Sequence, residues 1–317
     1  MIHLGMFLPA KPDRRWRLAA QAGVRRAISR LRDAYEPWDE SSLAAAQASF
    51  REAGFALTAL EGDQFDMSRI KQGLPGREED YDRYRAMLAA MGRLGIRTLC
   101  HNFMAGIGWF RSRHGVPGRG GALTSAFHPG DVPDEPPHLT HEQLWANYRE
   151  FLGEVLPAAE AAGVTLALHP DDPPVPWLAG WPRIFTSADG YRRALEFTHG
   201  SPAFGITFCA ATFRAMGEDD LALLREWRDR IVFVHLRDNR PLPDGGFEET
   251  FHDDGPTDLA RRLRLLDELG MDVLLRPDHA PTMDGEDNAD PGYAAFGRVF
   301  AIGYFKGILD AAGIAHD

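Results

Sequence analysis

Short apolar runs recur along this chain, separated by longer stretches in which apolar residues return at helical spacing. The runs predict strands at Ile2–Leu8, Val24–Leu31, Phe55–Glu61, Ile96–Asn102, Val164–His169, Phe204–Cys209, Ile231–Arg237 and Asp272–Arg276. The second is the least regular, because Arg25-Arg26 and Ser29-Arg30 make it polar and helix-compatible. Between the runs, Tyr81–Leu94, Glu142–Ala162, Asp219–Arg230 and Asp258–Leu269 predict amphipathic helices. The last opens after Pro256-Thr257, a suitable N-cap, and closes at Gly270, a common residue just past a helix end. Strands and helices in strict alternation, with eight strands in all, predict an α/β chain folded as a (β/α)8 TIM barrel. A doubly wound open sheet is the alternative. A length of 317 residues fits one barrel domain spanning the whole chain.

Two connections exceed the usual loop length. Residues 103–140 are rich in Gly and Pro, and residues 170–187 carry Pro173-Pro174, Pro176 and Pro182. Both follow a strand's C-terminal end, the face on which barrels place their sites, so the first is expected to act as a lid.

Four successive runs end on one metal-competent side chain each: His169, Cys209, His235 and Asp278. In a parallel barrel these positions share one rim, so the side chains can converge. A strand-end His is more often structural, and a lone Cys in a strand is more often a small hydrophobe. Four together, at equivalent places in consecutive units, point instead to a divalent transition metal. Manganese, iron, cobalt, nickel and zinc all accept such a donor set. Cys100 is assigned to packing, because alternation sends it and His101 to opposite faces. His101 and Asn102 then become candidate substrate contacts.

Neighbouring residues extend the candidate site. Asp171 and Asp172 follow His169 and could orient its imidazole, or simply form a turn before Pro173. Arg237 and Arg276 flank the proposed ligands and could grip a carboxylate in bidentate fashion. His279 and Tyr293 are candidates for proton transfer beside a Lewis acid, and His252 is a further candidate contact.

Composition narrows the partners. Hydrophobic residues make up 44% and charged residues 26%, as in an ordinary globular enzyme. A net charge of −11 and a pI near 5.5 argue against nucleic acid, yet a local Arg cluster or a metal can still bind a small anion. Two cysteines, both in apolar runs, argue against a disulfide framework and for a reducing cytoplasm. No apolar stretch is long enough for a membrane span, and no signal peptide is expected. The segment Ala294–Ile314 is apolar enough to cover the barrel or a second copy, which leaves a homo-oligomer open.

The motifs resemble those of the mannonate dehydratases, a family of xylose isomerase-like barrels. The matching stretches are Asn102-Phe103-Met104 with Trp109 and Arg111, His169-Pro170-Asp171-Asp172-Pro173-Pro174, Phe208-Cys209 and Phe233-Val234-His235-Leu236-Arg237. They continue with His252, Gly255 and Asp258, then Arg276-Pro277-Asp278-His279 and Pro291-Gly292-Tyr293. Order and spacing hold from about residue 96 onward, whereas the first ninety residues match loosely. The resemblance implies a manganese ion on His169, Cys209, His235 and Asp278, with His279 and Tyr293 in proton chemistry. Substrate contacts then fall on His101, Asn102, Arg111, Asp171, Arg237, His252 and Arg276. The implied reaction removes water from D-mannonate, a small anionic sugar acid, to give 2-dehydro-3-deoxy-D-gluconate. Departures lie on the substrate side: His101 stands where the family usually has Tyr, Ala105 where it has Pro, and Ala210-Ala211-Thr212-Phe213 where it has Gly-Ser-Leu-Gly. Another aldonate is therefore an open substrate. A metal-dependent sugar isomerase or epimerase, and a non-catalytic sugar-acid-binding barrel, are the competing expectations.

Overall fold

Parallel pairing of the apolar runs builds the molecule. The computed structural model describes residues 1–317. Its first strands are β1 (Ile2–Phe7), β2 (Arg26–Ser29), β3 (Ala56–Glu61), β4 (Thr98–His101), β5 (Arg113–Pro117) and β6 (Leu123–Phe127). There follow β7 (Thr165–Leu168), β8 (Trp177–Leu178), β9 (Trp181–Pro182) and β10 (Phe204–Cys209). The last are β11 (Ile231–Leu236), β12 (Asn239–Pro241), β13 (Phe247–Glu249) and β14 (Val273–Pro277). Eight of these close a barrel in the order β1-β14-β11-β10-β7-β4-β3-β2. Because β1 pairs with both β14 and β2, the sheet has no edge and the open-sheet alternative falls. The polar second run is indeed a strand: Ala27 and Ile28 are buried, while Arg26 reaches out to the Asp317 carboxylate at 2.6 Å.

One interior layer explains where the chemistry can sit. Ile28, Ala59, Cys100, Ala167, Phe233 and Leu274 meet inside the barrel, one from each of six strands. Thr207 of β10 joins them by donating to the Ala167 carbonyl at 3.1 Å. At Gly5 a Cβ would lie 2.6 Å from Ile28 Cδ1, so β1 can contribute only a bare backbone there. Strand side chains alternate faces, so the residues two further along each strand point the same way, one layer higher. Those residues are Phe7, Arg30, Glu61, Asn102, His169, Cys209, His235 and Arg276.

Helices cover the outside. His141–Ala162 starts with a reciprocal capping box between Thr140 and Gln143, which satisfies backbone donors at its first turn. Ala295–Ala312 buries Ile302, Phe305 and Leu309 and packs on β14, so the apolar C-terminal segment covers its own barrel. The helix expected over Asp219–Arg230 is shorter, Asp220–Glu226. Trp227 leaves it to stack on Tyr191, and Arg230 turns aside to donate to the Ser201 carbonyl at 2.7 Å.

The two long connections hold more structure than their composition suggested. Residues 103–140 contain the hairpin β5–β6, and the segment after β11 contains the hairpin β12–β13. The two hairpins join into one antiparallel sheet in the order β12-β13-β6-β5, through Phe247 opposite Phe127 and Glu248 opposite Ala126. Gly246 permits this approach, since a Cβ there would run into the Phe127 carbonyl oxygen. Residues 170–187 contain the smaller hairpin β8–β9.

Candidate active site

The upper layer opens into a cavity of about 550 Å³, lined among others by Phe7, Glu61, Asn102, His169, Arg276, Asp278, His279 and Tyr293. Half-exposed Arg30 and Arg32 also line it. On one side, His169, Cys209, His235 and Asp278 place one ligand atom each within 4.8 Å of one another. Neighbouring strands set this convergence, with Cys209 in register with His235 and His235 with Arg276. The His169 and His235 rings are 5.0 Å apart, and Cys209 Sγ lies 3.7 Å from Asp278 Oδ2.

The electrostatics suit a cation at the centre of this group. His169 Nδ1–H donates to the Pro170 carbonyl at 2.7 Å, which turns Nε2 towards the other donors. Burial opposes a charge on His169, but the hydrogen bond and charge of Cys209, with Asp278 and Glu61, outweigh it and push its pKa up to about 9. Burial and the Arg276 guanidinium hold His235 well below its ordinary value, so it keeps a lone pair. Burial alone would raise Asp278, but His279, Arg276, His235 and Arg237 hold it well below the usual carboxylate range. Two imidazoles, a thiol and a carboxylate, all largely buried, fit a divalent transition ion in donor type and number.

Around these donors lies a web of buried ion pairs. Arg276 binds Glu61 at 2.5 and 2.9 Å and Asp278 at 3.0 Å. Arg237 reaches Asp278 at 2.9 Å and Asp172 at 2.8 Å. Arg111 grips Asp172 at 2.7 and 2.9 Å and Glu249 at 2.7 Å. His279 Nδ1 meets Glu249 Oε1 at 2.9 Å, and its Nε2 lies 3.2 Å from the Tyr293 hydroxyl. Burial raises Tyr293 against the opposing pull of Arg276, so its phenol stays protonated.

Of the sequence-derived contacts, His101, Asn102 and Arg276 line the cavity together with His279 and Tyr293. His101 is buried and next to Lys71, which lowers its pKa to about 3 and keeps it neutral. Asn102 Oδ1 accepts from Lys71 Nζ at 2.9 Å. Arg111, Asp171, Arg237 and His252 stand behind the wall instead of in it. Arg111 and Arg237 are consumed by the carboxylates just described, and Asp171 accepts from the backbone of Ile184 and Phe185 at 2.9 Å. His252 bonds the Leu236 carbonyl at 2.9 Å and packs edge-on against Phe305. Ala105, Ala210 and Ala211 are also buried outside the cavity, so of the departures His101 alone borders it, with its ring packed outward against Tyr148 and Phe151.

Sequence reasoning passed over Glu61, Glu249 and Lys71. Glu61 ends the third predicted strand just as His169 ends the fifth, so the strand-end argument extends to it. Glu249 carries no such signal, because its three-residue strand lies inside a connection.

A family model described as D-mannonate dehydratase (UxuA) matches residues 15–140 and 134–316. A mannonate dehydratase of Streptococcus equi subsp. zooepidemicus is 31% identical over 309 residues, covering 87% of this chain and 84% of the relative. The crystal structure of mannonate dehydratase from Streptococcus suis serotype 2 superposes with a TM-score of 0.90 at 29% identity, covering 100% of this chain and 97% of that one. A xylose isomerase domain protein from Planctomyces limnophilus, at 14% identity and a TM-score of 0.63 over 98% of each chain, shares the fold.

Proposed function

This chain belongs to the D-mannonate dehydratase family, and we propose that it is a hydro-lyase removing water from D-mannonate to give 2-dehydro-3-deoxy-D-gluconate. The observation that carries the reading is the meeting of two groups in one cavity. The cation-seeking donors His169, Cys209, His235 and Asp278 stand beside the proton-handling pair His279 and Tyr293.

The C2 proton of an aldonate is too weakly acidic for an ordinary side chain, because negative charge must build up next to a carboxylate. His169, Cys209, His235 and Asp278 would hold a divalent ion, manganese in this proposal, which would supply positive charge as that negative charge develops. Arg276, buried yet facing the cavity, adds a guanidinium for the same carboxylate. His279 Nε2, with its other nitrogen engaged by Glu249, takes the C2 proton. The protonated Tyr293 donates to the hydroxyl leaving C3, which departs as water. The tyrosinate then recovers a proton from His279 across the 3.2 Å contact, restoring both groups. The resulting enol gives up its O2 proton to solvent and takes one at C3, becoming the 2-keto product. In this reading the polyol end meets Asn102 and the Trp109 indole N–H, which lacks a protein partner, with His101 at the cavity's border.

The test strips the protein of metal, reloads it with single divalent ions, and assays an aldonate panel for an α-keto acid. D-mannonate with manganese is expected to give product; an isomerase or epimerase would give none, and that result would sink the proposal. Incubation in D2O separates the two proton roles. Tyr293→Phe should still exchange the C2 hydrogen while failing to eliminate, and His279→Ala should do neither.

A further inference from the structure

We propose that Glu249 is a positioning residue that sets the tautomer and orientation of His279. This rests on His279 being the proton carrier of the reaction above, but the geometry stands independently of the substrate.

Glu249 comes from β13, in the accessory sheet, and not from any barrel strand. Pairing of Asn239 with Glu249 fixes its place along that sheet. Its side chain is 4% exposed, and Oε1 lies 2.9 Å from His279 Nδ1. The same oxygen accepts from Arg111 at 2.7 and 3.1 Å, and Arg237 Nη1 stands 3.5 Å away. Burial alone would raise this carboxyl, but His279, Arg111 and Arg237 hold it well below the usual range, so it is ionised.

An ionised carboxylate has no proton to give, so the hydrogen of a neutral His279 must sit on Nδ1. Nε2 is then bare and faces the Tyr293 hydroxyl and the cavity. The ring has little freedom to turn away. Trp109 lies edge-on at 4.8 Å, and at Gly292 even a Cβ would come within 3.1 Å of the imidazole. Take the carboxylate away and Nδ1–H becomes an unpaired buried donor, so the Nε2–H tautomer, with no lone pair facing the substrate, gains population. The logic is that of a base held by a third group, here delivered by a loop sheet.

The experiment uses the full chain loaded with zinc, which is diamagnetic, and reads the ring nitrogens of ¹⁵N-labelled histidine by NMR. His279→Ala assigns the resonance. The wild type is expected as the Nδ1–H tautomer. Glu249→Asp keeps a charge for Arg111 but withdraws it from His279, and Glu249→Ala removes it. Both should shift the tautomer and lower kcat by up to about 10⁴-fold, the loss seen when a catalytic histidine loses its orienting carboxylate. KM and metal content should change little. Glu249→Gln keeps an oxygen against the Arg111 fork and should retain the tautomer, while the lost charge no longer steadies the imidazolium and still lowers kcat. A purely structural role would not separate the Gln from the Asp variant at equal folded fraction. Wild-type kcat or an unchanged tautomer in folded Glu249→Asp overturns the proposal, even should Glu249→Ala fail to fold. Absence of dehydration by the wild type would count against the reaction and leave the tautomer readout standing.

Discussion

Arg111 has no exposed side-chain surface, and it holds two carboxylates, Asp172 and Glu249, at once. A substrate contact was the expectation, carried by the place of Arg111 in the family motif. The structure shows instead that both sides of its fork are occupied by protein. Removing one partner of a buried ion pair leaves an uncompensated charge, which costs far more than losing a surface pair. Arg111→Met is therefore expected to destabilise the fold by roughly 3–5 kcal/mol. Urea unfolding checks it, and a loss below about 1 kcal/mol, typical of an exposed pair, would contradict the buried pairing. Arg276 differs in that it lines the cavity, where a substrate anion has to compete with Glu61, Asp278 and the Pro277 carbonyl for its guanidinium.

At the scale of elements, the barrel strands and the accessory strands were unequally legible. A barrel strand is enclosed on both sides, so its burial is written into consecutive residues, as in β10, where all six are buried. β12 and β13 have three residues each and mix charged with apolar positions, so no period can establish itself. Their pairing comes from contact between two distant loops, and Gly246 is the point where those loops touch. Gly246→Ala should push β13 off Phe127 and displace Glu249 from His279. The expected result is a large fall in kcat with the barrel intact. Hydrogen exchange would speed up in β6 and β13 and not in β10 or β11, whereas uniform speeding would mean that the sheet is not a separate unit.

For the molecule as a whole, two buried histidines set an acid limit. Burial lowers His252 to about 4 and, with Lys71, His101 to about 3, against about 6.5 in the unfolded chain. Below pH 6.5 the unfolded chain takes up protons that the folded chain refuses. Stability is therefore complete above 6.5 and falls as pH drops towards these folded values, by about 1.4 kcal/mol per unit for each histidine at the steepest. Denaturant titrations from pH 7.5 to 4.5 should show the fall, and His252→Gln should flatten part of it. At the neutral end, a divalent ion bound by the four donors would add stability by mass action. At one hundred times its dissociation constant the gain is about 2.7 kcal/mol, seen as a rise of several degrees in Tm. Cys209→Ser should weaken that rise, and an equal rise in the variant would remove Cys209 from the ligand set. No helix of the chain is long and apolar enough to cross a membrane.

Sequence by itself determined the closed parallel barrel and the group His169, Cys209, His235 and Asp278. Both follow from local rules: apolar runs make strands, alternation sets which side chains rise from the rim, and equal placement in successive units brings His169, Cys209 and His235 together, with Asp278 two residues past the matching position, which Arg276 holds. Glu61 was within reach of the same rule. Only the tertiary structure decided how the site is supported. Arg276 finds Glu61 across 215 residues and Arg111 finds Glu249 across 138, and nothing within either segment encodes the partner. Those pairs depend on barrel closure and on the meeting of two loop hairpins. Charge complementarity and burial select them after the backbone is in place, so no periodicity announces them beforehand.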